Sequence, residues 1–374
     1  MGTSGGITID QAIDLGYATL QNFKQDAVQI ALKHTTYEVV NRWFSGDKMV
    51  LDGGKKVTWD LTLKDTGNAK HTQMYGVDNP NVANVNVEGE ENWVHFQNSF
   101  SYTTKELSMN MANKTRIFNL FRNRRMNCAR EAADALEEAA WKTPSSASDT
   151  IVPNGIPAWI CQADSDNETG DFTGYLPDYT TSGDTESAYS TIGGLECSST
   201  VNARWANWYA DHNDQLDHSL MKILRRAFRK TMFQTPKIAK EAIDPKSGFY
   251  NFRLYTNSDV LDEIEELATL SDDRIGHDLG KYAGTVIFKG IPFIYVDSLD
   301  TELTYVYGGN PIFGVNHGHF YPIVLSGENF RWNKPIREAG QHNVLTVYLD
   351  LSYAYVCDNR RTAGFLISDW EGGN

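Results

Sequence analysis

Residues 50–107 set the tightest limit on what this chain can fold into. Val57, Trp59, Leu61 and Leu63 alternate with Lys56, Thr58 and Asp60, the two-residue period of a half-exposed strand. Val94, Phe96, Phe100 and Tyr102 alternate in the same way with His95, Gln97, Ser99 and Ser101, and residues 93–104 are read as the partner strand of a hairpin. Residues 65–92, between them, are rich in Asn, Gly and Asp. The segment is 58 residues long, and each limb, if extended, reaches on the order of 90 Å at roughly 3.3 Å per residue. A compact globule of this length has a radius of gyration of only about 21 Å. Such a hairpin either curls back on the body or reaches something else. It carries no catalytic set, so reaching a neighbouring subunit is the favoured reading.

Helical periods lie on both sides of it. Leu20, Phe23, Ala27, Ile30 and Ala31 predict an N-terminal helical arm within 14–44, followed by the apolar group Val39, Val40, Trp43 and Phe44. Residues 114–141 form the strongest helical pattern, about 42 Å long at 1.5 Å per residue. Its charges are segregated: Lys114, Arg116, Arg122, Arg124, Arg125 and Arg130 precede Glu131, Asp134, Glu137 and Glu138. This order opposes the helix dipole, so an acidic partner surface or an enclosed polyanion is weighed against a plain solvated face. Residues 144–200 are dense in Ser, Thr, Gly, Asp and Asn and are expected to be irregular and surface-lying. A basic amphipathic helix follows at 214–231, with Lys222, Arg225, Arg226, Arg229 and Lys230 outward. A strand at 249–256 leads into an acidic helix that starts at Ser258, the expected N-cap. The last hundred residues read as strands at 285–296, 303–308, 311–316, 320–326 and 343–357. In the last, Leu345, Val347, Leu349, Leu351, Tyr353 and Tyr355 share one face, which specifies a register. Helices and strands are grouped, not alternating in βαβ units, so the expected class is α+β.

Composition removes several function classes. Hydrophobic residues make up 41% and aromatics 12% of the 374 residues, the balance of a folded globular chain. A formal charge of −14 argues against coating nucleic acid with the whole surface, while local basic patches stay open. No stretch approaches the roughly 18 apolar residues of a membrane span, and the opening MGTSGGITID has no secretory pattern, so synthesis in the cytoplasm is expected. Cys128, Cys161, Cys197 and Cys357 are far apart and read as free thiols.

Chemistry is sparse. Gly2-Thr3-Ser4-Gly5-Gly6 has the spacing of a nucleophile elbow but no strand before it, and it is set aside. No phosphate loop, dinucleotide motif or His-Glu-x-x-His pair is present. His317 and His319 would share a face if extended and His342 could join them, but without a firm carboxylate partner two such histidines read as exposed strand-end residues. No catalytic, cofactor-binding or metal-ligating residue is assigned, and no cofactor is expected.

The element order and several local strings resemble the major capsid proteins of tailed bacteriophages, the HK97-type fold. Ser190-Thr191-Ile192-Gly193-Gly194-Leu195 followed by Asn202-Ala203-Arg204-Trp205 is similar to a stretch many of these proteins carry before their next helix. Leu254-Tyr255-Thr256-Asn257-Ser258 and Val286-Ile287-Phe288-Lys289-Gly290-Ile291-Pro292-Phe293 are similar to the family's passage from peripheral to axial domain. The resemblance covers residues 20–367. It implies an N-terminal arm at 1–49, an extended β-hairpin (the E-loop) at 50–107, and a peripheral domain at 108–284. That domain would hold a spine helix at 114–141 and a polar insertion at 143–200. An axial domain at 285–342 and a C-terminal strand at 343–374 returning to the peripheral domain complete the division. It further implies a non-enzymatic subunit that forms hexamers and pentamers of an icosahedral shell in the virion. Such a shell would enclose double-stranded DNA without sequence-specific contacts, with a scaffolding protein and a portal as partners, and room for a decoration protein. Some relatives crosslink a Lys to an Asn; no such pair is assigned. The competing readings are an encapsulin-like nanocompartment shell and, from the Trp and Tyr content, a hydrolase or carbohydrate-binding β-rich protein.

Overall fold

The computed structural model describes residues 37–77, 80–82, 84–109, 114–145, 149–163, 168–176, 189–198, 200–233, 251–270, 279–282, 285–300, 304–337, 340 and 343–369. The helical reading at 14–36 and His342 lie outside them. The architecture is α+β, and the chain divides into two compact units.

The described part of the smaller unit falls within 96–135 and 330–351. It holds most of strand β4 (Val94–Thr103), helix α2 (Thr104–Met109) and most of helix α3 (Lys114–Ala140). It also holds strands β15 (Arg331–Trp332) and β16 (Ile336–Arg337) and the first half of β17 (Val344–Cys357). β15 and β16 run antiparallel to β17, in registers Trp332↔Leu349 and Ile336↔Thr346, and β4 also pairs with β17. The Ser101 and Thr346 hydroxyls share a hydrogen bond (2.9 Å). Phe100, Cys128 and Val347 form a small core covered by Tyr102, Phe121 and Trp332.

The larger unit, which also holds helix α1 (Val39–Asp47) and the short helix α4 (Ile156–Trp159), is built on an eight-stranded sheet. Its strands are β5 (Asp171–Gly174), β8 (Asn207–Asp211), β9 (Phe252–Thr256), β10 (Leu279–Tyr282), β11 (Thr285–Phe288), β12 (Ile291–Tyr295), β13 (Gly309–Asn316) and β18 (Gly364–Asp369). They lie in the order β10-β11-β12-β9-β13-β18-β8-β5, parallel only at β12/β9 and β18/β8. Helices α5 (His218–Thr231) and α6 (Ser258–Leu270) cover one face. There Leu220, Leu224 and Phe228 of α5 and Val260 and Ile264 of α6 join Trp208, Leu254, Phe293, Ile312 and Phe365 in one core. Tyr255 and Phe313 point to the opposite face and meet Trp141. In the same unit β14 (Phe320–Leu325) pairs antiparallel with the end of β17 and parallel with β1 (Met49–Leu51).

Several expectations change. The strand read at 57–63 is β2 (Val57–Thr62), and its partner is β3 (Asn86–Glu91), in register Val57↔Glu91, not the strand read at 93–104. β3 reads Asn-Val-Glu-Gly-Glu-Glu, with almost no apolar signal; its buried position is Gly89, and the Trp59 indole occupies the space a Cβ would fill there. The strand read at 285–296 is the hairpin β11–β12, because Lys289 and Gly290 take positive φ (50° and 83°), as a tight two-residue turn requires. Residues 304–307, read as strand, form a short helix, α7 (Thr304–Tyr307), whose Val306 and Tyr307 are both buried. Four residues are too few for a period to separate the two states. The basic helix starts at His218, where Asp217 accepts the Ser219 N–H (2.7 Å). Asn257, not Ser258, caps α6: its side-chain oxygen accepts the Val260 N–H (3.1 Å). The stretch read as surface-lying contains fully buried residues, among them Ile156, Trp159, Ile160 and Cys161, so it is core where it is apolar.

Candidate functional site

The β2/β3 hairpin is firmly seated at its base. Val57, Leu61 and Leu63 are buried, and Val57 packs with Tyr321, Ile323, Ala354 and Val356 over Trp59 and Trp93. The seat is formed by β6 (Thr191–Ile192) and β7 (Leu195–Glu196), joined by Gly193-Gly194 with φ of 60° and 72°. The Gly193 carbonyl accepts the Glu90 N–H (2.9 Å), and a Cβ on Gly194 would come within 2.6 Å of Glu90 Cγ. Lys56 pairs with Glu90 (2.6 Å), and Asn154 donates to Glu91 (2.9 Å). Burial raises the Glu91 carboxyl to about 7, against the opposing Asn154 hydrogen bond. The Gly-Gly string that carried the family resemblance is thus the turn on which the hairpin stands.

Beyond this base every described residue from Lys64 to Asn84 is exposed. Arg204 pairs with Asp65, and burial of one limb ends there. Further out, Asn68 donates to the Asn81 carbonyl (2.7 Å) and accepts the Asn81 N–H (2.9 Å), a reciprocal clasp across the limbs. Past the clasp, Met74, Tyr75 and Val77 are 90%, 91% and 90% exposed, and Val82, just below it on the returning limb, is 98% exposed. These apolar side chains stand on an otherwise polar loop.

The basic residues of α3 have a mixed fate. Arg124 forms a two-pronged pair with Glu106 (3.0 and 3.2 Å), Arg130 pairs with Asp134 (3.6 Å), and Arg125 lies over the Trp332 ring at 4.9 Å. These contacts explain part of the charge run by partners within the chain. On α5, Lys222, Arg229 and Lys230 are exposed, and Arg225 and Arg226 are half-buried. Arg226 donates to the Thr169 carbonyl.

The histidines read as exposed are in fact interior. His317 is 5% and His319 1% exposed. Trp43 donates to the Tyr255 hydroxyl (3.3 Å), which meets His317 Nε2 (2.8 Å). Burial, then Arg42 and Arg253, hold His317 well below its usual pKa, so it stays neutral. His319 bonds Asp358 (2.6 Å), away from that cluster. Among the described residues no three His, Cys, Asp or Glu side chains converge on one point. The feature that sequence reasoning missed is Arg360, wholly buried on the short helix α8 (Arg360–Ala363). Its guanidinium donates to the carbonyls of Trp159 (2.8 Å), Gly174 (3.2 Å), Tyr175 (2.8 Å) and Trp205 (3.0 Å). The Asn207 side-chain oxygen (3.4 Å) and the Cys161 and Cys197 sulfurs also lie within reach of it. Among the described residues no carboxylate touches it. No sequence signal separates such an arginine from the half-buried Arg361 at its side.

No protein-family model and no curated protein matches the chain. Solved structures do. The cyanophage A-1(L) capsid asymmetric unit is similar with a TM-score of 0.58 at 11% identity, covering 95% of this chain and 99% of that one. The capsid of Myoviridae phage XM1 is similar with a TM-score of 0.51 at 8% identity, over 98% and 100%. The mature capsid of bacteriophage PhiM1 is similar with a TM-score of 0.50 at 9% identity, over 93% and 91%. At such identities the likeness speaks for the fold, and the fold of this chain is the HK97-type fold of tailed-phage capsid subunits.

Proposed function

We propose that the chain is a major capsid protein: a non-enzymatic subunit that assembles with its own copies into an icosahedral shell enclosing double-stranded DNA. The observation that carries this reading is the match of nearly the whole chain to nearly the whole of a capsid subunit, 95% against 99%. The apolar group on the hairpin tip supports it, because a subunit that worked alone would gain nothing by exposing Met74, Tyr75, Val77 and Val82. On this reading 50–107 is the loop that lies over a neighbour and 114–141 is the spine helix. Residues 1–49 form the arm and 108–284 the peripheral region with its insertion at 143–200. Residues 285–342 supply the axial region, whose strands within 285–316 share a sheet with 252–256 and 364–369, and 343–374 return to the periphery. The partners are the chain itself in hexamers and pentamers, a scaffolding protein and a portal, with a decoration protein as a further candidate. The nanocompartment reading is weaker, since the similar structures named above are all phage capsids. The location is the virion, after synthesis in the host cytoplasm; no described helix is long and apolar enough to cross a membrane.

The test is to purify the protein and a variant in which residues 69–80 are replaced by an Asn-Gly turn, which leaves the Asn68–Asn81 clasp to close the shortened loop. The native protein is expected to form closed particles by electron microscopy. The variant should stay soluble and folded with an unchanged melting temperature, yet fail to close shells. Closed particles of normal size from the variant would remove the tip from assembly. A native protein that elutes only as a small oligomer, with or without scaffold, would reject the shell itself.

A further inference from the structure

α5 and α6 lie on the same face of the eight-stranded sheet, but over different parts of it. α5 packs on β8 and β18, toward the β5 end, and α6 packs on β10 to β13, toward the other end. Their outer faces carry opposite charge in matching patterns. On α5, Lys222, Arg225, Arg226 and Arg229 stand at i, i+3, i+4 and i+7, followed by Lys230; of these Lys222, Arg229 and Lys230 are the exposed charges, Arg226 being held by the Thr169 carbonyl. On α6, Asp259, Asp262, Glu263 and Glu266 stand at i, i+3, i+4 and i+7, all exposed. Each stripe spans about 10 Å along its helix at 1.5 Å per residue.

Neither stripe is favourable within its own helix. Lys222–Arg226, Arg225–Arg229 and Arg226–Lys230 are like-charge neighbours at i, i+4, as are Asp259–Glu263 and Asp262–Glu266. The dipole rewards bases only in the last turn of α5 and acids only in the first turn of α6, leaving Lys222 and Glu266 at the wrong ends. Lys222, Arg229 and Lys230 form no ion pair among the described residues, nor do Asp259, Asp262 and Glu263. A sheet that carries a basic stripe toward one end and an acidic stripe toward the other presents two different, complementary surfaces, as head-to-tail association needs.

We propose that the basic stripe of α5 docks on the acidic stripe of α6 of an adjacent copy, so that each subunit offers one charged flank to each of its two neighbours in a closed ring. This rests on the shell reading above and names a contact that holds its rings together. The contact is heterologous: different surfaces of two identical chains meet, and the two flanks lie toward opposite ends of the sheet, as side-by-side neighbours require. The second copy, not a polyanion, is the occupant because the same chain carries the complementary charge, with Lys222, Arg229 and Lys230 exposed on one helix and Asp259, Asp262, Glu263 and Glu266 exposed on the other. It also removes the like-charge repulsion on both helices at once.

The test exchanges the charges in the full-length chain. One variant carries Lys222→Glu, Arg229→Glu and Lys230→Glu, a second carries Asp259→Lys, Asp262→Lys and Glu263→Lys, and a third carries all six. These side chains are exposed, so circular dichroism and melting temperature should match the native protein in each. Like charges brought face to face should lower the yield of rings and closed particles at low salt by about tenfold or more in the first two variants. The six-fold exchange, which restores opposite charges across the contact, should recover that yield to within about threefold of native. A conservative Lys222→Gln, Lys230→Gln variant should assemble with a weaker salt dependence than native. If native particles form and the first two variants assemble as well as native, or the six-fold exchange fails to recover, the docking is wrong while the shell reading stands. If the first variant forms empty particles normally and loses only DNA content, the basic stripe faces a polyanion and the docking is again overturned. If native protein itself makes no ring or particle, the shell reading fails first.

Discussion

Single buried groups in this chain carry larger energetic stakes than its surface charges. Arg360 has four backbone carbonyls, the Asn207 side-chain oxygen and two thiols about it and no acid among the described residues, so its charge is held by dipoles. Arg360→Met would take a donor from each carbonyl, and a loss on the order of 3 kcal/mol in urea unfolding is expected. Arg360→Lys should not rescue it, because a single ammonium cannot span the sites that the planar fork reaches. Stability equal to native in the Lys variant would show that charge and not geometry is what matters there. Glu137 poses a different case: it is 3% exposed, accepts the Val39 N–H at 3.0 Å, and burial raises it to about 7 from 4.5. Between those values the folded chain keeps a proton that the unfolded chain has released, so its stability falls as pH rises from about 4.5 through about 7. The loss approaches about 3 kcal/mol once pH exceeds the folded pKa. Glu137→Gln should therefore be more stable than native near pH 8 and close to native near pH 5. Urea midpoints at the two pH values decide it, and parallel profiles would mean that Glu137 is ionised in the fold. Glu91, raised to about 7 by burial, adds a slope of the same sign that the Gln variant would retain.

At the scale of elements, the hairpin depends on a turn far from it in sequence. Gly193 and Gly194 need positive φ to form the β6–β7 turn, and the Gly193 carbonyl then receives the Glu90 N–H. Gly194→Ala adds a side chain in left-handed backbone and places it against Glu90, a cost of about 1 kcal/mol or more. The expected result is faster amide exchange at 86–91, with protection in β8, β9, β13 and β18 unchanged. Uniform loss of protection across the sheet would show instead that the turn supports the whole unit. The helices were largely legible: α3 lies where its apolar stripe placed it, and α5 and α6 differ from expectation only at their starts. The β2 pairing was not, because β3 contributes a glycine under Trp59 where a pattern search looks for an apolar residue.

The whole molecule buries all of its thiols. Cys128, Cys161, Cys197 and Cys357 are buried, and burial pushes Cys128, Cys197 and Cys357 above the usual thiol range. Ellman's reagent should therefore find essentially no thiol in the native protein and four per chain in guanidinium. Rapid native labelling at any one cysteine would place it in a region that opens without global unfolding. The amino-acid sequence by itself determined what repeats locally: the amphipathic helices, the alternation along β17, the turn glycines and the absence of a long apolar span. The HK97-type resemblance, drawn from the order of those elements, agrees with the fold found. Only the tertiary structure decided which strands meet and what lies inside. β8 and β18 are buried along nearly their whole length, so they show no alternation, yet they sit side by side in the large sheet. Arg360, His317 and His319 are polar residues whose interior places depend on carbonyls and side chains distant in sequence. A period reports one element against water, whereas pairing and polar burial are set by the partner that the folded chain brings opposite.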